Sequence, residues 1–210
     1  MKIVLEKAGK KFYREWIFRN LDLSINVSEK IAILGPNGSG KSTLLQLLAG
    51  ASIPTEGKVS YLEGNTLLDP EEIYEKVSIS APYLDLIEDY DLEETLSFHF
   101  HFKKPVLNLS AEAMIELSGL SSSRKKMMKY YSSGMKQRVK LILALLSDVD
   151  IVLLDEPCSN LDRKSILWYQ DLVEKYAAYK TVIVCSNSQQ EEYSFCKREI
   201  NVMEWKPGIL

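Results

Sequence analysis

Eight residues, Gly35-Pro-Asn-Gly-Ser-Gly40-Lys41-Ser42, restrict the architecture of this chain more than any other segment. They match the spacing G-x-x-x-x-G-K-[ST]. Glycines let the backbone, turning through Pro36, curl the N–H groups of Gly35, Asn37, Gly38, Ser39 and Gly40 around a polyanion, where a Cβ would obstruct the approach. The apolar run Lys30–Leu34 before the loop reads as a short buried strand. Lys41–Ala49 after it reads as a helix with Leu44, Leu45, Leu47 and Leu48 clustered. A helix opening at Lys41 directs its positive end at the same anion that the Lys41 side chain meets. The chemistry implied is the binding of a nucleoside triphosphate, with Lys41 on the β- and γ-phosphates and the Ser42 hydroxyl as a ligand for Mg²⁺.

A strand–loop–helix unit of this kind needs a sheet around it. Lys2–Lys7 and Leu21–Val27 read as strands, as does Gly57–Leu62 between turn signals. From about Asp89 to Leu146 helical periodicity replaces strand patterning, through Leu92–Phe102, Ala111–Leu117 and Ser133–Ser147. Then Ile151–Leu154 is an apolar strand, Arg163–Tyr179 an amphipathic helix and Thr181–Cys185 a second buried strand. Strands alternating with helices predict an α/β fold with a mostly parallel sheet covered on both faces. The 210 residues suit one domain, and no internal repeat or long linker divides them.

The strand Ile151-Val-Leu-Leu ends in Asp155-Glu156. Ligands of α/β sheets gather at the carboxyl ends of the strands, so Asp155 is expected beside the phosphate loop, completing the magnesium shell. Glu156 is then placed to orient or deprotonate the water that attacks the γ-phosphate.

Composition excludes other classes. A net charge of -3 gives no basic field, so no nucleic-acid partner is expected. Cys158, Cys185 and Cys196 form no CxxC pair, and with His99 and His101 far away a zinc site is not expected. Apolar stretches such as Val139–Leu146 fall short of the roughly 20 residues that span a bilayer. The chain therefore reads as cytoplasmic, with any membrane role borrowed from a partner. Phe98-His-Phe-His-Phe102 reads as a packed helix, because i and i+2 histidines point apart. Six acids within Asp85–Glu94 and four bases within Arg124–Lys129 read as solvated faces, with partner docking as the alternative.

Two further segments carry a family resemblance. Tyr131-Ser132-Ser133-Gly134-Met135, with Lys136-Gln137-Arg138, resembles a divergent form of the LSGGQ signature of the ATP-binding cassette (ABC) ATPases. Ser159-Asn160-Leu161-Asp162 matches that family's S-x-L-D loop. The order and spacing agree from about Lys2 to Met203. The resemblance implies a P-loop NTPase fold with a small N-terminal antiparallel β part and an inserted helical subdomain. The ATP-binding lobe would span about 1–82 and 141–210, and the helical lobe about 83–140. It further implies ATP with Mg²⁺ as cofactors, Phe12 stacked on adenine with Tyr13 as fallback, and Thr43 at the α-phosphate. Two cassettes, as a homodimer or an unlike pair, would sandwich each ATP between the phosphate loop of one and Ser132, Ser133 and Gly134 of the other, with Asp162 at the same junction. The implied function is the ATPase subunit of a membrane transporter, peripheral at the inner face through integral membrane subunits. A binding switch with negligible hydrolysis, or a soluble ABC ATPase on a non-membrane partner, are the alternatives.

Two positions depart from the pattern. The family's glutamine after the strand at Val77-Ser-Ile-Ser80 is missing, with Ser80, Ala81 or Pro82 near its place. Its switch histidine aligns with Asn187, which donates a hydrogen bond but takes up no proton. Slow hydrolysis by the isolated chain is the expectation.

Overall fold

The computed structural model describes residues 1–208. In chain order its elements are β1 (Lys2–Phe12), β2 (Glu15–Ile25), β3 (Lys30–Leu34), α1 (Lys41–Leu48), β4 (Glu56–Glu63), β5 (Thr66–Leu67), α2 (Ile73–Lys76) and β6 (Val77–Ser80). Then come α3 (Leu92–Phe102), α4 (Ala111–Ser118), α5 (Ser133–Leu145), β7 (Ile151–Asp155), α6 (Arg163–Tyr176), β8 (Thr181–Ser186) and β9 (Arg198–Asn201). A parallel sheet runs β6-β7-β8-β3-β9, and an antiparallel sheet runs β2-β1-β4-β5.

Side-chain alternation along the parallel strands builds two cores. Ile31, Ile33, Ile151, Leu153, Ile183 and Cys185 face α1 and the antiparallel sheet, packing with Leu44, Leu45, Leu47, Leu48, Leu5 and Phe18. The intervening Ala32, Val152, Leu154, Val182 and Val184 face the other way, against Val139, Ile142 and Leu145 of α5 and Tyr169 and Val173 of α6. Burying each such aliphatic side chain stabilises the fold by about 1.5–3 kcal/mol. Both faces of the parallel strands are covered, which explains why they read as apolar runs.

The helices of the middle segment start on side-chain caps. Asp91 and Glu94 form a reciprocal capping box at α3, and Ser110 and Ser132 cap α4 and α5. The acidic and basic runs, expected as solvated faces, meet each other. Arg124 pairs with Glu93 and Glu112, both at 2.7 Å, and Lys129 reaches Asp89 at 2.8 Å. Exposed pairs of this kind contribute at most about 1 kcal/mol each. Histidines 99 and 101 diverge as expected: His101 is exposed, whereas the Nε2 of His99 lies 2.9 Å from Ser147 Oγ. Lys103 Nζ donates to Val77 O at 2.7 Å, tying α3 to the sheet.

Element ends moved where local pattern is weak. The first strand continues beyond Lys7 to Phe12 through register shifts, and β2 begins at Glu15 rather than Leu21. The sixth helix stops at Tyr176, leaving Tyr179 exposed, and α5 stops at Leu145. Edge strand β9, Arg-Glu-Ile-Asn, carries one apolar residue and no strand pattern. Among the described residues, no helix is long and apolar enough to cross a membrane.

Candidate active site

The loop after β3 turns on glycines that nothing larger would replace. Gly40 sits at φ 106°, and a Cβ there would lie 2.4 Å from Ile17 Cγ2. That turn brings α1 to the carboxyl end of the parallel sheet. Lys41 is buried, and its Nζ donates to Gly35 O at 2.8 Å and Pro36 O at 3.2 Å. Ser42 Oγ donates to Asp155 Oδ2 at 2.6 Å, joining positions 113 residues apart.

Asp155 emerges from β7, which lies two strands from β3 with β8 between them. It is 3% exposed, and burial pushes its carboxyl upward while the Ser42 hydroxyl opposes that shift. Glu156 follows with φ 46°, in the left-handed region that non-glycine residues seldom adopt. Its N–H donates to Cys185 O at 2.9 Å, extending the ladder between β7 and β8 by one residue.

A cleft of about 390 Å³ gathers these groups. Asn37, Gly38, Gly40, Lys41, Ser42 and Thr43 form one wall, and Asp155 and Glu156 another. Ile17 and the pair Pro82–Tyr83 complete it. One cation, several backbone and hydroxyl donors and two carboxylates thus share one small cleft. Such a set binds a polyphosphate and presents a carboxylate to a water beside it.

Nine candidate residues lie outside that lining: Gly35, Pro36 and Ser39 of the loop itself, and six elsewhere. Phe12 is half-exposed at the end of β1, its ring 5.4 Å from Lys10 Nζ, and Ile17 of β2 lines the cleft. Asn187 is exposed just beyond β8. Ser132 and Ser133 are exposed at the start of α5, where the Ser132 hydroxyl accepts from Met135 N at 3.2 Å. Gly134 abuts the loop after β7, since a Cβ there would lie 2.7 Å from Asn160 O. Gln137 Nε2 donates to Pro157 O at 2.9 Å, fastening the same loop to α5. Asp162 caps α6 through Ser165 N at 2.8 Å, and its hydrogen bonds with Ser165 hold its carboxyl low. The Ser132–Gly134 turn and the Ser159–Asp162 loop therefore form one exposed unit, separate from the cleft.

Three residues escaped the sequence reading. Ile17 and Tyr83 line the cleft without belonging to any motif. Glu192, 1% exposed, accepts from Cys158 N at 3.2 Å through Oε1, and its Oε2 has no partner. Burial raises its carboxyl pKa.

Residues 18–159 match the family model described as ABC transporter. The chain is 33% identical over 191 residues to an uncharacterized ABC transporter ATP-binding protein of Haemophilus influenzae, covering 89% of this chain and 76% of that protein. It is 28% identical to the aliphatic sulfonates import ATP-binding protein SsuB of Bacillus subtilis, covering 99% and 82%. Among solved structures it is similar to a dimeric post-hydrolysis state of the ATP-binding cassette MJ0796 bound to ADP and Pi. That match has a TM-score of 0.81 at 25% identity and covers 95% of this chain and 93% of the other.

Proposed function

The chain belongs to the ABC transporter ATPase family, and from that premise we propose which of its residues bind, align and hydrolyse ATP. It is an ATP-binding, ATP-hydrolysing subunit that works with a second cassette and with membrane transporter subunits. A binding switch without hydrolysis and a soluble machine on another partner are not favoured by relatives that are transporter components.

The observation that carries the site assignment is the Ser42–Asp155 hydrogen bond at 2.6 Å, with Lys41 and Glu156 in the same cleft. In our reading Gly35 and Asn37 through Gly40 present backbone N–H groups to the phosphates, and Lys41 exchanges its carbonyl partners for β- and γ-phosphate oxygens. Thr43 meets the α-phosphate. The Ser42 hydroxyl and the Asp155 carboxylate are adjacent hard oxygen donors. That set fits Mg²⁺, which is held through one or two protein oxygens plus substrate phosphates rather than a full protein cage. No cluster of three or more His, Cys, Asp or Glu side chains suited to a metal exists among the described residues. Bound there, the ion would neutralise phosphate charge. Glu156 aligns and deprotonates the attacking water, and Asn187 donates to a γ-phosphate oxygen without relaying a proton.

Ser132, Ser133 and Gly134 serve the partner's ATP, with Asp162 beside them, because the N-terminal end of α5 is an exposed donor site outside its own cleft. The ATP-binding lobe would comprise about 1–82 and 141–210 and the helical lobe about 83–140, with Phe12 at the adenine. A location at the inner face of the membrane follows from the membrane subunits.

The test is Glu156→Gln. It should lower kcat by about 10²- to 10⁴-fold while leaving ATP affinity intact. With saturating ATP it should form a dimer on a sizing column that carries membrane subunits from detergent extracts. Residual hydrolysis equal to wild type, or no ATP-dependent dimer, contradicts the assignment.

A further inference from the structure

Two carboxylates face the end of the cleft where a terminal phosphate would lie, and repulsion there calls for donors besides Lys41 and the glycine loop. The cleft wall supplies one hydroxyl that belongs to no motif. Tyr83 lines the cavity together with Ser42, Asp155 and Glu156. It also lines a neighbouring groove beside Gln46, Tyr74 and Lys103, and it is the one residue common to both.

Its position is set by strand register. The sixth strand pairs in parallel with β7, and Ser80 is opposite Leu154. The chain leaving Ser80 therefore arrives at the same sheet end as Asp155. The turn that follows is fastened: Leu84 N donates to Ala81 O at 3.2 Å, and Lys140 Nζ of α5 donates to Ala81 O at 3.3 Å and Pro82 O at 3.4 Å. Proline at 82 fixes its own φ. The backbone that carries Tyr83 is thus held before any ligand arrives, as positioning a donor to a developing charge requires.

The environment keeps the phenol protonated. Burial and then the Asp155 carboxylate push it up to about 12, so it is a neutral donor throughout the physiological range. A cation would compete with the metal for Asp155, and another carboxylate would add repulsion. A neutral hydroxyl does neither.

We propose that Tyr83 is a further catalytic residue of this ATPase, its hydroxyl donating a hydrogen bond to the terminal phosphoryl group of bound ATP. This rests on the nucleotide site proposed above. The hydroxyl interacts with the Gln46 side chain, which lines the groove and not the cleft. On this proposal it exchanges that partner for a phosphate oxygen, and the kinetic effect of Tyr83→Phe separates this from a ring that only divides cleft from groove. The full-length variant should lose about 10- to 100-fold in kcat, the range for one hydrogen bond to a charged group, with ADP affinity within twofold of wild type. In a Glu156→Gln background, where hydrolysis is blocked, the same substitution should lower the preference for ATP over ADP about 10-fold or more. Unchanged kcat and unchanged ATP preference overturn the proposal. So does an equal loss of ATP and ADP affinity, which would assign Tyr83 to packing. Failure of the wider reading shows separately: Lys41→Ala would then leave ATP affinity untouched, whatever Tyr83→Phe does.

Discussion

The phosphate loop and the start of α5 are both glycine-containing turns that open helices, yet the chain treats them in opposite ways. Around Lys41 the two side chains assigned to phosphate and metal have partners inside the same chain, Lys41 on two loop carbonyls and Ser42 on Asp155, while the buried Ser39 Oγ has none. At Ser132 the hydroxyl serves its own helix, Ser133 is exposed, and neither lines the cleft. The first turn is a receptor complete enough to bind a polyanion alone. The second, on the proposed function, is a surface of donors for a ligand held by another subunit. On that proposal affinity and closure are divided between two places some ninety residues apart in sequence, and each can be damaged without the other.

The strongest way to break this division is Lys41→Ala. Losing a buried charge that contacts two phosphates should cost about 3–4 kcal/mol, a few hundred-fold in ATP affinity by calorimetry. An affinity within threefold of wild type would remove the receptor half of the contrast. Gly134→Ala addresses the other half. Its added Cβ would meet Asn160 O at 2.7 Å, so the turn and the loop beside it must separate. ATP affinity of the single chain should stay within twofold, while the dimer formed by the Glu156→Gln background should weaken about 10- to 100-fold, a cost of about 1–3 kcal/mol from overpacking. Light scattering against protein concentration reads this, and an undisturbed dimer counts against a role for the turn in closure.

A smaller effect sharpens the contrast at the seam between the helices and the sheet. Burial, with Lys103 nearby, lowers His99 from 6.5 to about 4. Between those values the unfolded chain takes up a proton that the folded chain refuses. The stability due to neutral His99 is therefore complete above pH 6.5 and is lost as pH falls towards 4. Between pH 7.5 and pH 5 that loss is about 2 kcal/mol, and His99→Gln, which keeps a partner for Ser147, should remove this part of the urea-denaturation pH slope. An identical slope in the variant would show that the ring is solvated. Asp155 and Glu192, with raised carboxyl pKa values, act in the opposite sense, so the difference between wild type and variant is the informative quantity.

What could be read from the residues divides along similar lines. Gly35–Ser42 and Ile151–Glu156 were legible because their roles follow from local order: a glycine turn before a helix, an apolar strand before acids. The third helix was legible to the residue, since Asp91 and Glu94 cap it and the apolar period stops at Phe102. The cleft wall formed by Ile17 was not. Register shifts along β1 change which side chains face inward, so the aromatic at 12 is half-exposed while Ile17, on the paired strand, packs against Gly40. Tyr83 was invisible for a different reason: only the pairing of β6 with β7, seventy residues on, brings it to Asp155. Edge strand β9 is bonded to β3 alone, has one half-buried apolar face and so carries no alternation to detect.

The left-handed backbone at Glu156 has a consequence for drift in such chains. A side chain with a Cβ held at φ 46° costs on the order of 1 kcal/mol or more against glycine, and that tension is maintained by the bond from Glu156 N to Cys185 O. Exchange of this glutamate for glycine would relax the chain while deleting the group proposed to act on water, so on that proposal robustness and turnover pull in opposite directions at one position. Descendants freed from the need to hydrolyse would find the sturdier cassette one substitution away.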